Sequence, residues 1–237
     1  MLAQLAQEPA RAALILDVDG TLAPIVPRPE DAEVPPQTRK ELVRLARSYA
    51  LVACLTGRMR EDAERVVGVE GIRYVGVHGL ELDPQAPEWR GALEEVMREA
   101  DWPREETEDK GVLVAFHYRR ARDQEAARTR LEEVGERARA AGLAPRFGRK
   151  VLEVRPPVEA DKGTAVRRLL ADSRVSRALY AGDDTTDLDA FRGLDEADLK
   201  LAVRVAVSSP EAPQELHERA DVVVGSPAEL LALLRQL

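Results

Sequence analysis

The chain has 237 residues, 44% of them hydrophobic, and a net charge of −8, which suits one or two globular domains with a substantial core. This acidity argues against a general binder of nucleic acid or of an anionic membrane, so any anion site must be a local pocket. Cys54 is the only cysteine, which excludes a disulfide within this sequence and cysteine ligation of a structural zinc. The first residues resemble no signal peptide, and no run approaches ~20 apolar residues, so we expect a cytoplasmic protein.

Strands and helices alternate in the first third of the sequence. Three apolar runs predict strands, the first two buried on both faces, at 12–19, 51–57 and 72–79. Helical spacing predicts two helices between them, at 36–50 and 60–68. Alternation of this kind predicts a parallel sheet with helices on its faces.

The pattern changes after "DPQAP" at 83–87, which is typical of a linker. Helices are predicted next at 88–100 and 123–141, and strands with one apolar and one polar face at 111–119 and 145–156. Parallel α/β alternation then resumes with a helix at 162–173, a strand at 177–183, a helix at 186–192, strands at 201–208 and 220–226, and a helix at 227–237.

We therefore predict an α/β fold with a doubly wound, mostly parallel, Rossmann-like core at 1–82 and 159–237. A second unit of α+β type is inserted at 83–158. Hinges near Asp83–Pro84 and Pro156–Pro157 would open and close the site.

Polar residues follow three predicted strands at the edge where open α/β sheets bind ligands. Asp17 and Asp19 follow the first strand, Thr56 follows the second, and Asp183 follows the strand at 177–183. Carboxylates gathered at one edge repel each other unless a cation neutralises them, and oxygen ligands favour Mg²⁺. We predict Asp17, Asp19 and Asp183 as the metal ligands.

A carboxylate at such a site can act as a nucleophile and form an aspartyl phosphate. We assign Asp17 as this nucleophile. Asp19 would protonate the leaving oxygen and then activate the water that hydrolyses the acyl phosphate. Thr56, Lys162 and backbone N–H groups near Asp19 would bind the phosphate.

Four further residues are assigned supporting roles. Gly20 lets the chain turn tightly after the carboxylates, and Thr21 directly follows it. Asp184 is interpreted as a helix cap near the ligands, and Asp187 as the group that orients Lys162 or a metal-bound water.

Four short motifs resemble those of the haloacid dehalogenase superfamily of phosphatases, in that family's order. They are "DVDGT" at 17–21, "TGR" at 56–58, "KG" at 162–163 and "GDDTTD" at 182–187. A closer resemblance is to trehalose-6-phosphate phosphatases, and it is carried by "VGVHGLEL" at 75–82, "EDKGVLVAFHYR" at 108–119, "KVLEVRP" at 150–156 and "AGDDTTDLDAF" at 181–191. Leu188 departs from the pattern, since many relatives carry Glu there.

The resemblance implies that the core is a hydrolase core and that the unit at 83–158 is a mobile α+β cap domain for substrate selection. It also implies a Mg²⁺-dependent enzyme of trehalose biosynthesis that hydrolyses trehalose 6-phosphate through an aspartyl phosphate. It implies substrate contacts from two sets of residues, Gly57, Arg58, His78 and Gly79 near the core motifs and Lys110, His117, Arg119, Glu153 and Arg155 on the cap strands. The partner it implies is a small sugar phosphate, with a trehalose-6-phosphate synthase of the same pathway as a possible second one. A monomer is the favoured oligomeric state.

Several alternatives stay open. A phosphatase for mannosyl-3-phosphoglycerate or sucrose phosphate would share the core and differ in the cap. A phosphomutase would have to exclude water. A non-enzymatic receiver domain also combines carboxylates with a lysine. In a receiver, however, the acidic pair comes first along the chain, the phosphoacceptor and the lysine follow on later strands, and no unit is inserted. Independently of these alternatives, the charged cap residues could form a solvated cluster, and His117 could be an ordinary surface histidine.

Overall fold

The computed structural model describes residues 1–148, 150–209 and 212–237, which form two compact units. The core unit comprises Met1–Leu82 and Ala160–Leu237, and the inserted unit comprises Asp83–Glu159. The strands are β1 Ala12–Leu16, β2 Leu51–Leu55, β3 Arg73–Val75, β4 Thr107–Asp109, β5 Val114–His117, β6 Ala144–Gly148, β7 Val151–Arg155, β8 Arg177–Gly182, β9 Leu201–Val207 and β10 Val222–Val224. The α-helices are α1 Leu2–Gln7, α2 Pro36–Ala46, α3 Arg60–Val67, α4 Arg90–Glu99, α5 Gln124–Ala140, α6 Lys162–Ala171, α7 Asp187–Asp195, α8 Gln214–Arg219 and α9 Pro227–Leu234.

The core unit is built on a six-stranded sheet in the order β10-β9-β8-β1-β2-β3, and every pair in it is parallel. In the central strand β1, Leu16 lies beside Cys54 of β2 and Ala181 of β8. The chain leaves β1 toward β2 and later returns on its other side at β8. This order confirms the predicted doubly wound α/β class and brings the carboxyl ends of β1, β2 and β8 together.

Both faces of the core sheet are buried. Leu14 and Leu16 pack toward α1, α2, α3 and α9, whereas Ala13 and Ile15 pack toward α6, α7 and α8. All five residues of β1 are fully buried, which explains why its sequence is a continuous apolar run rather than an alternating one.

Helices α6 and α7 cross at a glycine contact. A Cβ atom on Gly193 would lie 2.4 Å from the carbonyl oxygen of Gly163, and one on Gly163 would lie 2.4 Å from the carbonyl oxygen of Asp189. Only glycine permits this approach of the two backbones. The crossing brings the start of α6, which carries Lys162, close to the start of α7, which carries Asp187.

The inserted unit is a four-stranded antiparallel sheet in the order β4-β5-β7-β6. One face, with Val114 and Phe116 of β5, packs on α4 and α5 through Leu93 and Leu131. The opposite face carries polar side chains, as the alternation in the sequence predicts.

Some elements differ from the sequence-based prediction. The strand predicted at 72–79 ends at Val75, because the N–H groups of Val77 and His78 turn away to the carbonyls of Arg58 and Thr56. The sequence analysis did not find α1, β4 or α8, which are short and lack a clear apolar period. Within the described ranges, no helix combines the length and the apolar character that a membrane crossing needs.

Candidate active site

Asp17 and Asp19 lie where β1 ends and the chain turns. The N–H of Asp17 still donates to the carbonyl of Ala181 at 2.9 Å, so Asp17 is held by the sheet. Gly20 then takes a φ of +77°, and a Cβ atom there would lie only 2.0 Å from Oδ2 of Asp183. Glycine therefore serves both the left-handed turn and the close approach of Asp183.

Lys162 lies among the aspartates at the first position of α6. The start of this helix is fixed by a capping box in which the Asp161 carboxylate accepts from the N–H of Thr164. Lys162 is 2% exposed, and its Nζ donates to Oδ1 of Asp17 at 2.8 Å and to Oδ1 of Asp187 at 2.7 Å. The lysine thus connects the end of β1 to the start of α7.

Asp187 is fully buried and accepts four hydrogen bonds. Its Oδ1 accepts from Lys162 and from the hydroxyl of Tyr180 at 2.6 Å. Its Oδ2 accepts from the N–H groups of Asp183 and Asp184 at 2.7 and 2.8 Å. A carboxylate with this many donors is fixed in place, so it can orient Lys162 and the loop that carries Asp183.

Three carboxylates share this buried cluster, and Lys162 contacts two of them, Asp17 and Asp187. Asp17, Asp183 and Asp187 each have an oxygen within 4.8 Å of the others. Burial raises the pKa of Asp183 to about 6, and the charges of Asp187 and Asp184 act in the same direction. Burial also raises the pKa of Asp17, against the opposing effect of Lys162. Although burial opposes it, Asp17 and Asp187 raise the pKa of Lys162, so the lysine stays charged.

This donor set fits a hard divalent cation. All its donors are carboxylate oxygens, and the charge of Lys162 leaves it with an excess of negative charge. Because Asp187 is already engaged by four donors, Asp17 and Asp183 are the residues suited to hold the ion. Thr21 donates its hydroxyl to Oδ1 of Asp183 at 3.1 Å and so helps to orient that carboxylate. Asp184 instead accepts from the N–H and the hydroxyl of Thr186, and it lies in the turn before α7.

Asp19 lies outside this acidic cluster, in contact with Arg58. Both of its carboxylate oxygens accept from the Arg58 guanidinium, at 2.7 Å each, and its side chain is 42% exposed. Arg58 also donates to Asp62 at 2.5 Å and to the carbonyl of Pro29 at 3.1 Å. Arg58, predicted from the resemblance as a substrate contact, is thus a partner of Asp19 here, and ligation of metal by Asp19 stays a prediction.

The remaining core residues of the prediction lie around the loop after β2. Thr56 is 1% exposed, and its Oγ1 accepts from the N–H of Arg58 at 3.2 Å. The ring of His78 lies against Gly57, where a Cβ atom would come within 2.6 Å of Nε2. Gly79, at a φ of +92°, lies so close to Ala165 of α6 that a Cβ atom would be 2.3 Å from its methyl group. The structure therefore brings Thr56, Gly57, Arg58 and His78 together.

The predicted cap residues lie on or beside the polar sheet face of the inserted unit. His117 Nε2 and Lys110 Nζ both approach Oε2 of Glu108, at 3.2 and 3.8 Å. Glu153 and Arg155 alternate with buried residues on β7 and so share its polar face. Arg119 is exposed just beyond β5, and its carbonyl accepts from Gln124.

The sequence analysis missed three residues that contact the predicted ones. Tyr180 interrupts the apolar strand β8 with a hydroxyl group, Asp62 is four residues after Arg58, and Glu108 lies two residues before Lys110. In the sequence, each is a polar residue close to a motif. Which side chain it contacts is determined by the tertiary fold and cannot be derived from the spacing.

Comparison with known proteins agrees with this architecture. A family model described as trehalose-phosphatase matches residues 15–222, which include all four motifs and the inserted unit. Trehalose-phosphate phosphatases of Mycolicibacterium paratuberculosis and Mycobacterium tuberculosis (strain H37Rv) are each 34% identical, over 245 and 242 residues. Both alignments cover 87% of this chain but only 61% and 60% of the relatives, so the chain spans about three fifths of their length.

Solved structures resemble the whole chain. A crystal structure of a trehalose-6-phosphate phosphatase related protein has a TM-score of 0.72 at 25% identity, covering 94% of this chain and 95% of the other. The fold is shared by a trehalose-6-phosphate phosphatase of Aspergillus fumigatus, with a TM-score of 0.65 at 21% identity, covering 99% of this chain and 94% of the other. It is also shared by a haloacid dehalogenase-like hydrolase of Bacteroides thetaiotaomicron, with a TM-score of 0.63 at 16% identity, covering 95% of this chain and 99% of the other. The predicted resemblance is confirmed: the match of the family model across most of the sequence means that the chain belongs to the trehalose-phosphatase family.

Proposed function

We propose that this chain is a metal-dependent phosphoric monoester hydrolase that converts trehalose 6-phosphate and water to trehalose and phosphate. The observation that carries the proposal is the 2.8 Å contact between Asp17 and Lys162 inside a buried cluster of carboxylates at the ligand-binding edge of the sheet. Membership of the trehalose-phosphatase family supports the substrate, since the curated relatives bear that name.

In the first chemical step, a carboxylate oxygen of Asp17 attacks phosphorus. The bond between phosphorus and this oxygen forms as the bond to the sugar oxygen breaks. Lys162 supports the step because it holds Oδ1 of Asp17 and is itself held by Asp187. Asp19, in its protonated form, gives a proton to the departing sugar oxygen, a contribution worth roughly 10²–10⁴-fold in rate.

In the second step, water attacks the phosphorus of the aspartyl phosphate. Asp19 takes a proton from this water, and the bond between phosphorus and Asp17 breaks to release phosphate and restore the carboxylate. Thr56 and Lys162 are the side chains we assign to bind the phosphate oxygens, together with backbone N–H groups near Asp19.

The metal we propose is Mg²⁺, held by Asp17 and Asp183, with Asp19 as the third ligand predicted from the sequence. When bound, it offsets the repulsion between these carboxylates and the anionic phosphate. The all-oxygen donor set and the raised pKa of Asp183, whose first cause is burial, both support a hard divalent cation at this place.

We propose that the inserted unit is the cap that selects the sugar. Its polar sheet face supports this role, because Lys110, His117, Glu153 and Arg155 offer hydrogen bonds that a polyol can use, and Arg119 lies just beyond β5. Hinges near 83–84 and 156–157 stay predictions, as do a synthase partner, a monomeric state and a cytoplasmic location. One structural neighbour, a trehalose synthase regulatory protein domain of Candida albicans, is 17% identical and bears on the fold alone.

The test is phosphate release with Mg²⁺ from trehalose 6-phosphate, sucrose 6-phosphate, mannosyl-3-phosphoglycerate, glucose 6-phosphate and p-nitrophenyl phosphate. We expect a preference for trehalose 6-phosphate that Asp17→Asn abolishes. Preference for another sugar would retain the core chemistry and overturn the cap assignment. Movement of the phosphate between hydroxyl groups of the sugar would indicate a phosphomutase. A stable phosphoprotein that does not turn over would indicate a receiver domain. No release from any substrate by the folded protein would overturn the proposal.

A further inference from the structure

Arg58 contacts two carboxylates at once. Its Nε and Nη2 donate to the two oxygens of Asp19, and its Nη1 donates to Oδ2 of Asp62. Nη2 also donates to the carbonyl of Pro29. All three guanidinium nitrogens are thus engaged, and the Arg58 side chain is only 10% exposed. A planar group bound on several sides cannot rotate without breaking hydrogen bonds.

Asp62 is in turn fixed by the helix that carries it. It lies in the first turn of α3, where a carboxylate suits the helix dipole. Its second oxygen, Oδ1, accepts from Nε and Nη2 of Arg65, at 3.0 and 2.7 Å. One oxygen of Asp62 therefore faces Arg58 while the other is held from within α3.

The hydrogen bonds form a chain from helix α3 through Arg58 to the carboxylate of Asp19. Asp19 is 42% exposed, so packing alone does not determine where its carboxylate points. The bidentate contact with Arg58 does so, and Arg58 keeps its orientation through Asp62. Proton transfer to and from Asp19 depends on that orientation, because a general acid or base must lie within hydrogen-bond reach of the oxygen it serves.

We propose that Asp62 is a positioning residue for Asp19 and acts through Arg58. This inference rests on the proposed function and deepens it, since it identifies what holds the acid/base group in place. It also assigns Arg58 to Asp19 rather than to the substrate.

The test uses two leaving groups that differ in their need for a proton. A sugar alkoxide leaves poorly unless it is protonated, whereas p-nitrophenolate leaves without a proton. In Asp62→Asn we expect the single-turnover release of trehalose to fall by about tenfold, less than the roughly 10²–10⁴-fold that complete loss of the general acid would cost, because Asp19 keeps its carboxylate and loses only its orientation. The burst of p-nitrophenol should keep its wild-type rate, with KM for both substrates unchanged. Asp62→Glu, which keeps a carboxylate, should restore part of the loss.

Glu61→Gln is the matched control. Glu61 also lies in the first turn of α3, and its carboxylate lies 3.4 Å from Arg60. It loses the same charge beside the same helix dipole, so its trehalose release should match the wild type. Thermal unfolding of both variants should show that each is folded.

The outcomes separate this inference from the proposed function. If the wild type releases phosphate and Asp62→Asn behaves like Glu61→Gln, the positioning role alone is wrong. Equal losses on both leaving groups, or a raised KM for both, would overturn it in favour of a structural role or of an Arg58–phosphate contact. If the folded wild type turns over no substrate, the proposed function fails, and a positioning role in that reaction fails with it.

Discussion

Replacing Gly20 with alanine would test whether the turn after β1 and the acidic cluster depend on each other. The substitution has two separate effects, one on the backbone conformation and one on the position of the Asp183 carboxylate. The φ of +77° disfavours any residue with a Cβ atom by roughly 1–2 kcal/mol. The new methyl group would also lie 2.0 Å from Oδ2 of Asp183, and bringing that contact to an ordinary 3.4 Å moves the carboxylate by about 1.4 Å. A displacement of about 1 Å at reacting groups can reduce the rate about 100-fold.

Gly71→Ala supplies the matched control for the backbone effect. Gly71 has a φ of +80°, and among the described residues other than Gly71 and its two chain neighbours no heavy atom lies within 4 Å of a Cβ atom there. The backbone effect should cost each variant roughly 1–2 kcal/mol of folding free energy, or roughly 2–8 °C in Tm, and Gly20→Ala should lose more than Gly71→Ala because of its contact with Asp183. In Gly20→Ala, but not in Gly71→Ala, the rate of phosphate release should fall about 100-fold, and half-maximal activity should require a higher Mg²⁺ concentration. The assays are thermal unfolding and phosphate release over a range of Mg²⁺ concentrations. A folded Gly20→Ala protein with wild-type activity and Mg²⁺ dependence would refute the reasoning.

Three further predictions concern the lysine, the metal and the cap. Lys162→Met leaves the carboxylates of Asp17 and Asp187 without their shared ammonium group, so it should lower the free energy of unfolding by about 3–5 kcal/mol and abolish turnover. A Tm near that of the wild type would contradict this prediction. Because burial raises the folded pKa of Asp183 to about 6, the metal-free protein should lose stability from this group as pH rises from about 4 to about 6, by up to roughly 3 kcal/mol. Mg²⁺ competes with that proton, so its stabilisation in thermal unfolding should be larger near pH 7 than near pH 5, and Asp183→Asn should remove the difference. Glu153→Gln should raise KM for trehalose 6-phosphate about tenfold but leave p-nitrophenyl phosphate unaffected, and equal changes for both would argue against a sugar contact.

The parts of the fold that the sequence predicted are those in which burial determines the residue pattern. Strands β1, β2 and β8 are buried on both faces, so their apolar runs were plain. Strand β4 has the sequence Thr-Glu-Asp and is half-buried, so no alternation marks it. It forms because β5 offers an edge to pair with, which is a property of the tertiary fold.

The site divides in the same way. That Asp17 and Asp183 lie together follows from parallel topology, because strand ends share an edge. The pairing of Asp19 with Arg58, 39 residues apart, follows from side-chain directions that no periodicity encodes. Both residues were singled out from the sequence, Asp19 as the acid/base group and a metal ligand and Arg58 as a substrate contact, but their contact with each other was not predicted.

Asp17 and Asp19 differ in burial in the way that their roles in the proposed reaction require. The nucleophile must stay in one place, and Asp17 is 5% exposed beside a lysine and an aspartate that are fixed by hydrogen bonds inside the core. The acid/base group must serve two partners in turn, the leaving oxygen and then water. Asp19 is more exposed, and among the described residues its carboxylate is held by the side chain of Arg58 alone. Substitutions around Lys162 should therefore reduce stability and rate together, because they leave charges buried without a partner. Substitutions around Arg58 should mainly reduce rate, because the carboxylates they release can be solvated.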